Sequence, residues 1–350
     1  MKWWAWTLLC MGGGFLFFFL WASYPWDLNA KTEKGLTGAL PNPPEENDHP
    51  TTLNLLTWNI SYAFGPGSDG SKYQSGARER FQANLSHIAD TIKASGADVV
   101  FLQEVDFGSS RSFNHDQLLE LAGMTGLHYW AKAQSWRANY VPYPFWPPTE
   151  HFGTVNSGGG VLSRWPIKSS TVDLLVKPLD KSWWYNLFYL HRFFQVVEIQ
   201  VGNRSFKGLN LHLEAWDLGS KMEQAKALVK KVATERPDFV VGDFNMIPEV
   251  AIKRSGFPNP KDSYEKDRSM GVVKHIPYKE LIDDSTYALK EDVWFTFPSD
   301  RPDRRLDYVF FRPAWTLMRN EVVSGLHPEA SDHLPVKAIF KFFEPQFIRD

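Results

Sequence analysis

Apolar and polar residues alternate in three different ways along the chain, and each way predicts a different kind of element. Residues 3–22, WWAWTLLCMGGGFLFFFLWA, hold no charge. A run of about 20 apolar residues is the length a helix needs to cross a bilayer. Gly12, Gly13 and Gly14 in its middle are tolerated in a lipid-embedded helix. Residues 27–50, DLNAKTEKGLTGALPNPPEENDHP, are rich in Pro, Asn, Gly and charge and have no hydrophobic period. That composition predicts a linker.

From Thr51 onward, short apolar stretches alternate with helical ones. LNLLTWNI reads as a strand, and ADVVFLQEV as a nearly continuous apolar strand covered on both faces. RERFQANLSHIADTIKAS places Phe81, Leu85, Ile88 and Ile92 on one helical face, and GSKMEQAKALVKKVATE is a second helix. GGGVLSRWPI, FFQVVEIQV, SFKGLNLHLEA, PDFVVGDFN, LDYVFFRP and HLPVKAIFKF read as further strands. Buried strands separated by helices, together with adjacent strand pairs, predict two mixed sheets packed together with helices outside. The expected organisation is a membrane anchor or signal segment over residues 1–26, a linker over 27–50 and one α/β domain over 51–350.

Charge and cysteine content narrow the function classes. Lys and Arg total 38 against 40 Asp and Glu, so the basic excess that grips a nucleic-acid backbone is missing overall. Cys10 is the single cysteine and lies in the apolar run, so neither a disulfide nor a cysteine metal site can form within the chain. Leu9 before it argues against a lipoprotein signal. A cleavable signal peptide has an apolar core of roughly 7–15 residues and a small-residue cleavage site. Here the run is longer, and SYPWD after it offers no such site. An uncleaved single-pass anchor is the expectation, with a secreted domain as the alternative if the segment is removed. Lys2 is the one charged side chain before the run, which places the domain outside the cytoplasm.

Polar residues gather at the strand ends. Asn59 ends the first strand and Glu104 the second. Asp243 and Asn245 follow FVV, Asp307 lies in RLDYVFF, Asp332 and His333 precede the last strand, and His212 sits in LNLHLEA. Singly, an Asn or Asp after a strand is a turn residue, and a histidine among leucines is a hydrogen-bonded core residue. Jointly, carboxylates, carboxamides and two histidines are what a hard divalent cation and a phosphate require.

The motifs LLTWNI, VVFLQEV, GGGVLSRWPI, LNLHLEA, VVGDFNMIP, RLDYVFF and SDHLPV, in this order, resemble the DNase-I-like endonuclease/exonuclease/phosphatase superfamily. The resemblance implies a four-layer α/β sandwich and Mg²⁺-dependent phosphoester cleavage, with Mn²⁺ or another divalent cation as a substitute. It implies that Glu104 is the principal metal carboxylate, with Asn59 and Asp332 beside it. Asp243 and Asn245 would orient the attacking water and bind phosphate. His333 would be the catalytic histidine, oriented by Asp307, and His212 would donate a hydrogen bond or proton to the phosphate or the leaving oxygen. Asn156 in VNSGGG would contact phosphate. No motif residue is missing, which weighs against a vestigial site.

The superfamily spans nucleases, phosphoinositide phosphatases, sphingomyelinases and enzymes of smaller substrates, so the core does not fix the substrate. The anchor, the charge balance and two aromatic insertions bear on it. One insertion is WRANYVPYPFWPPTEHF, residues 136–152, read as a surface loop. The other is KSWWYNLFYLHRFF, residues 181–194. It is too short and too charged to span a bilayer, so Phe193 and Phe194 are expected in the core and the rest at the surface. Trp and Tyr favour the membrane–water interface, although the same residues could cover the sandwich or stack on single-stranded nucleic acid. The leading expectation is a membrane-anchored phosphodiesterase acting on a lipid headgroup, sphingomyelinase-like in chemistry, with membrane lipid as partner. An extracytoplasmic nuclease and a tethered non-catalytic binding module are the rivals, and no protein partner is inferable.

Overall fold

The computed structural model describes residues 3–43, 50–66, 77–259, 262–324 and 326–342. Residues 44–49 of the expected linker and 343–350 of the expected domain lie outside the described residues. Helix α1 (Trp3–Ser23) is followed by β1 (Lys31–Lys34), β2 (Leu36–Ala39), β3 (Thr52–Asn59), α2 (Ala77–Ser95), β4 (Val99–Asp106) and α3 (Gln117–Thr125). Next come β5 (Tyr129–Val141), β6 (Gly153–Ser163), β7 (Ile167–Leu174), α4 (Trp183–Phe188), β8 (Phe193–Val201) and β9 (Arg204–His212). After α5 (Leu218–Glu235) and β10 (Phe239–Asp243) come α6 (Ser269–Val273), β11 (Lys279–Glu280) and α7 (Asp284–Leu289). The last strands are β12 (Asp307–Phe311), β13 (Thr316–Val322) and β14 (Val336–Lys341).

These strands form two seven-stranded sheets, ordered β1-β7-β8-β9-β10-β12-β11 and β13-β14-β3-β4-β6-β5-β2. Each sheet is mixed, because β9 runs parallel to β10 and β3 parallel to β4. Side chains alternate faces along a strand, and both faces are used. Leu53 and Leu55 of β3 join Phe101, Val197, Phe239 and Val309 between the sheets. Leu56 and Trp58 of the same strand pack under α2 with Phe81, Leu85, Ile88 and Ile92. On the far side, Leu209, Leu211 and Val240 pack under Leu228 and Val232 of α5. The result is the expected four-layer sandwich, helix–sheet–sheet–helix.

The strand ends that matter are drawn together by one glycine. Gly242 has φ 139°, and a Cβ there would lie 2.1 Å from the Leu211 carbonyl oxygen. No other residue permits that approach of β9 and β10.

Part of the segment expected to be a linker is sheet. β1 pairs with β7 at the edge of the first sheet, and β2 with β5 at the edge of the second. KTEK of β1 is wholly polar and LTGA of β2 has one large residue, Leu36, that is half exposed, which suffices because edge strands can be held by backbone pairing while their side chains stay in water. Residues 136–141 likewise belong to β5, so the first aromatic insertion begins as strand and becomes loop only after Val141. Phe101 is fully buried between the sheets. Phe101→Ala should therefore cost about 3–5 kcal/mol, read as a lowered midpoint of chemical unfolding. An unchanged midpoint would contradict this packing.

Candidate active site

Strand register sets out the polar residues before any side chain is placed. Asp243 is paired with His212 on one side and with Asp307 on the other, so three strands of the first sheet end at one level. In the second sheet Asn59 pairs with Gln103, which puts Glu104 one residue beyond. The β4–β6 register shifts between Leu102 and Val105, and Glu104 within that bulge has φ 54°. A bulge re-aims a side chain, and a non-glycine residue at positive φ is held there by its surroundings.

Asp243 is the centre of the cluster. Its Oδ2 accepts from Asn59 Nδ2 at 3.0 Å and Asn245 Nδ2 at 3.3 Å, and its Oδ1 accepts from the Asn245 backbone N–H at 2.9 Å. The same Oδ2 lies 3.3 Å from His212 Nε2 and 3.8 Å from His333 Nε2. Asp307 Oδ2 accepts from His333 Nδ1 at 2.8 Å. Ser331 Oγ donates to the Asn59 carbonyl at 2.6 Å and accepts from the His333 backbone N–H at 3.1 Å, fastening the Ser-Asp-His turn to the end of β3.

Burial and charge act on these groups in opposite senses. Burial alone would lower the His333 pKa, but the carboxylates of Asp307 and Asp243 outweigh it and raise it to about 10. His333 is therefore an imidazolium at neutral pH. Burial raises Asp243 to about 6, with Asp307 adding. Burial also raises Asp332 to about 6, with Glu104 adding, and it raises Glu104. His212 is held well below its ordinary value by burial and by the cations Arg192 and His333.

The oxygen donors suit a hard divalent cation such as Mg²⁺. Glu104 and Asp332 are close acidic groups, and Asp332 Oδ1 is buried without a hydrogen-bond partner among the described residues. Asn59 adds a carbonyl oxygen whose second lone pair is left after Ser61 N–H donates to it. Asp243, Asp307 and His333 also bring ligand atoms within 4.8 Å of one another. Within that trio His333 Nδ1 donates to Asp307, so it forms a hydrogen-bonded relay. A second such group, His87, His327 and Glu329, has its imidazoles stacked 3.9 Å apart and nearly parallel. Parallel rings do not aim their lone pairs at one ion.

Residues 56–333 match the family model described as the Endonuclease/Exonuclease/phosphatase family. The chain belongs to this family. Among solved structures, it is similar to the endonuclease/exonuclease/phosphatase of Beutenbergia cavernae at 22% identity and TM-score 0.58, over 84% of this chain and 72% of that one. It is also similar to a mannosyl-6-phosphatase of Bacteroides thetaiotaomicron at 16% identity and TM-score 0.52, over 83% and 100%. TDP2 of D. rerio, complexed with single-strand DNA product, gives 14% identity and TM-score 0.53 over 84% and 100%. At these identities the likeness is one of fold. No curated protein sequence matches the chain.

Within this endonuclease/exonuclease/phosphatase framework, two expected residues behave differently. The Asn156 amide donates to the Phe107 carbonyl at 3.1 Å and accepts from Gln134 Nε2 at 2.9 Å. One N–H and one lone pair of the amide thus brace β5 and β6, and the second N–H has no partner within these bonds. His212 was expected to donate, but the Arg192 guanidinium, which can only donate, bonds its Nε2 at 2.5 Å. That nitrogen is an acceptor here, and the ring is neutral.

Arg192 is the member that motif reading missed. It is buried, its Nε lies 3.7 Å from Glu214 Oε2, and both atoms are buried without a hydrogen-bond partner. The one visible signal is a lone arginine inside LHRFF. Arg192 and Glu104 stand at the inner end of a cavity of about 540 Å³, walled by Trp136, Tyr143, Phe145, Trp184, Tyr185 and Trp216. Both aromatic insertions therefore face the polar cluster.

The raised pKa of Asp332 gives a direct test. A carboxyl still partly protonated near pH 6 must lose its proton to ligate a cation. Mg²⁺ added to chelator-treated protein should release protons at about pH 6 and release almost none at about pH 8, read by calorimetry in buffers of different ionisation enthalpy. Equal proton release at both values would contradict the assignment of Asp332 to the metal.

Proposed function

We propose that the protein is a membrane-bound, Mg²⁺-dependent phosphodiesterase that hydrolyses a lipid headgroup ester, with chemistry like that of a sphingomyelinase. The observation that carries this reading is the aromatic cavity that starts at Glu104 and Arg192 and is walled by α4, against which the end of α1 packs. An apolar-walled cavity with a charged inner end suits a phosphoester carrying a large apolar group. Lys2 ahead of α1 supports a domain outside the cytoplasm.

The chain's own groups divide the work. Asp243, accepting from Asn59 and Asn245, is a carboxylate with pKa near 6, suited to take a proton from the attacking water. Water oxygen forms the new bond to phosphorus as the opposite phosphorus–oxygen bond breaks. The departing oxygen takes its proton from His333, which Asp307 keeps charged and oriented. Arg192, cationic at all working pH values, faces the anionic oxygens and takes the donor role expected of His212. A divalent cation held by Glu104, Asp332 and Asn59 would stabilise negative charge developing on the phosphoryl group.

The full-length chain with Mg²⁺ should release phosphorylated headgroup from phospholipid or sphingomyelin vesicles. His333→Ala and Asp243→Asn should each lower kcat by about 10²–10⁴-fold. Cleavage of DNA alone would replace the lipid reading with a nuclease. Full activity of His333→Ala would remove the catalytic assignment, and no cleavage of any substrate would favour a tethered binding module.

A further inference from the structure

Several large rings around the cavity mouth stand in water. Trp146 is 81% exposed, Phe145 68% and Trp183 65%, and Tyr143, Trp184 and Trp216 are about half exposed. Contiguous apolar surface of this kind marks a contact. The structure also indicates what covers it.

Helix α1 leaves the domain beside the same patch. Phe19 lies edge-on to Trp183 at 6.4 Å and to Phe188 at 5.4 Å, and Phe18 lies edge-on to Tyr140 at 5.8 Å. Asn139 Nδ2 donates to the Trp21 carbonyl at 2.9 Å. Trp183 begins α4 and Phe188 ends it, and Phe188 lines the cavity. One six-residue helix thus touches both the anchor and the substrate space.

The exit from α1 is fastened as well. Ala22 and Ser23 are fully buried. Arg137 binds Asp27 at 2.7 Å and Glu33 at 3.0 Å, and β1 and β2 then join the edges of both sheets. At about 1.5 Å per residue, the 21 residues of α1 are about 31 Å long, which matches a hydrocarbon core of about 30 Å. Its buried end therefore marks one face of the bilayer, and Trp183 of the aromatic patch, packed on Phe19, lies within about a turn of it.

We propose that the rim formed by Tyr143, Phe145, Trp146, Trp183, Trp184 and Trp216 inserts into the bilayer that holds α1, so that the cavity opens onto that leaflet. The occupant of the patch is lipid. Trp and Tyr rings suit this depth, with an apolar body in the acyl region and a polar edge at the headgroups. The pair Asp180–Lys181 and the carboxylate of Asp217 line the same mouth, where headgroups would sit. Insertion rests on α1 as a membrane span and not on the chemistry proposed above. Lateral entry of substrate rests on both.

The test uses the full chain in phosphatidylcholine vesicles, with the single cysteine removed as Cys10→Ser. A polarity-sensitive nitrobenzoxadiazole probe is attached at Trp146→Cys, at Trp183→Cys, or at the control Leu289→Cys. Leu289 is 86% exposed in α7, after the edge strand opposite β1. Probes at 146 and 183 should shift to the blue and be quenched by lipids spin-labelled at shallow depth, while the probe at 289 should not. Probes at 146 and 183 as wet as the one at 289 would overturn the proposal. Burial that grows with protein concentration and ignores the quencher would also overturn it, in favour of a second copy as occupant. Each labelled chain is first checked for an unchanged thermal unfolding midpoint, and Trp184→Cys, at a half-exposed position, carries the probe if Trp183→Cys does not fold. Trp146→Ala should slow hydrolysis of bilayer lipid several-fold and leave a short-chain soluble phosphodiester unaffected. If no phosphodiester is cleaved at all, the probe results still decide insertion, so the two readings fail separately.

Discussion

The carboxylate of Asp243 is almost completely shielded from water, and a charge in that position is tolerated only when hydrogen bonds surround it. Its partners come from both halves of the sandwich. Asn59 donates to it from β3 of the second sheet and Asn245 from the turn after β10 of the first, while the His333 imidazolium stands 3.8 Å away in the turn before β14. Sliding one sheet against the other would leave the carboxylate short of donors. The packing of Phe101, Val241 and their neighbours between the sheets is therefore what holds the chemistry in register. Gly242 is part of the same constraint, because the residue before Asp243 must let β10 lie against Leu211.

Two electrostatic zones meet at that carboxylate. On one side, Asp307 and Asp243 keep His333 charged. On the other, burial raises the pKa of both Glu104 and Asp332, with Glu104 adding to the rise of Asp332 and Asp243 to that of Glu104, and a buried Asp332 oxygen has no partner among the described residues. Arg192 lines the aromatic cavity beside this acidic zone, and burial together with its positive charge keeps His212 neutral. A proton donor, a proton acceptor, a cation and a set of oxygen ligands thus share one small volume. Their protonation states differ because their surroundings differ, which is how one site carries acid and base chemistry at a single pH.

Much of this was legible in the sequence, for definite reasons. Phe81, Leu85, Ile88 and Ile92 recur at helical spacing, and they form one buried face of α2. Glu104, Asp243, Asp307 and His333 were visible because motif order fixes which strand ends they occupy. β1 and β2 were not visible, since KTEK is wholly polar and LTGA has one large apolar residue, so neither four-residue edge strand carries a hydrophobic period. Arg192 was hidden for a different reason. Only the pairing of Phe193 with His212 brings it beside the site. The bonds of Asn156 to Gln134 and Phe107 were not legible, because those residues are remote in the chain. KSWWYNLFYLHRFF proves to hold three roles in succession: an exposed rim at Trp183 and Trp184, a basic group at Arg192, and core at Phe193 and Phe194.

The central claim is that water attacks the phosphorus of a membrane lipid at the Asp243–His333 cluster. The most direct measurement is hydrolysis of bilayer lipid by the full chain in water enriched in heavy oxygen, with the label located by phosphorus NMR and mass spectrometry. The account predicts one heavy oxygen in the released phosphorylated headgroup and none in the lipid alcohol. Label in the alcohol, or a headgroup released without label, would contradict it.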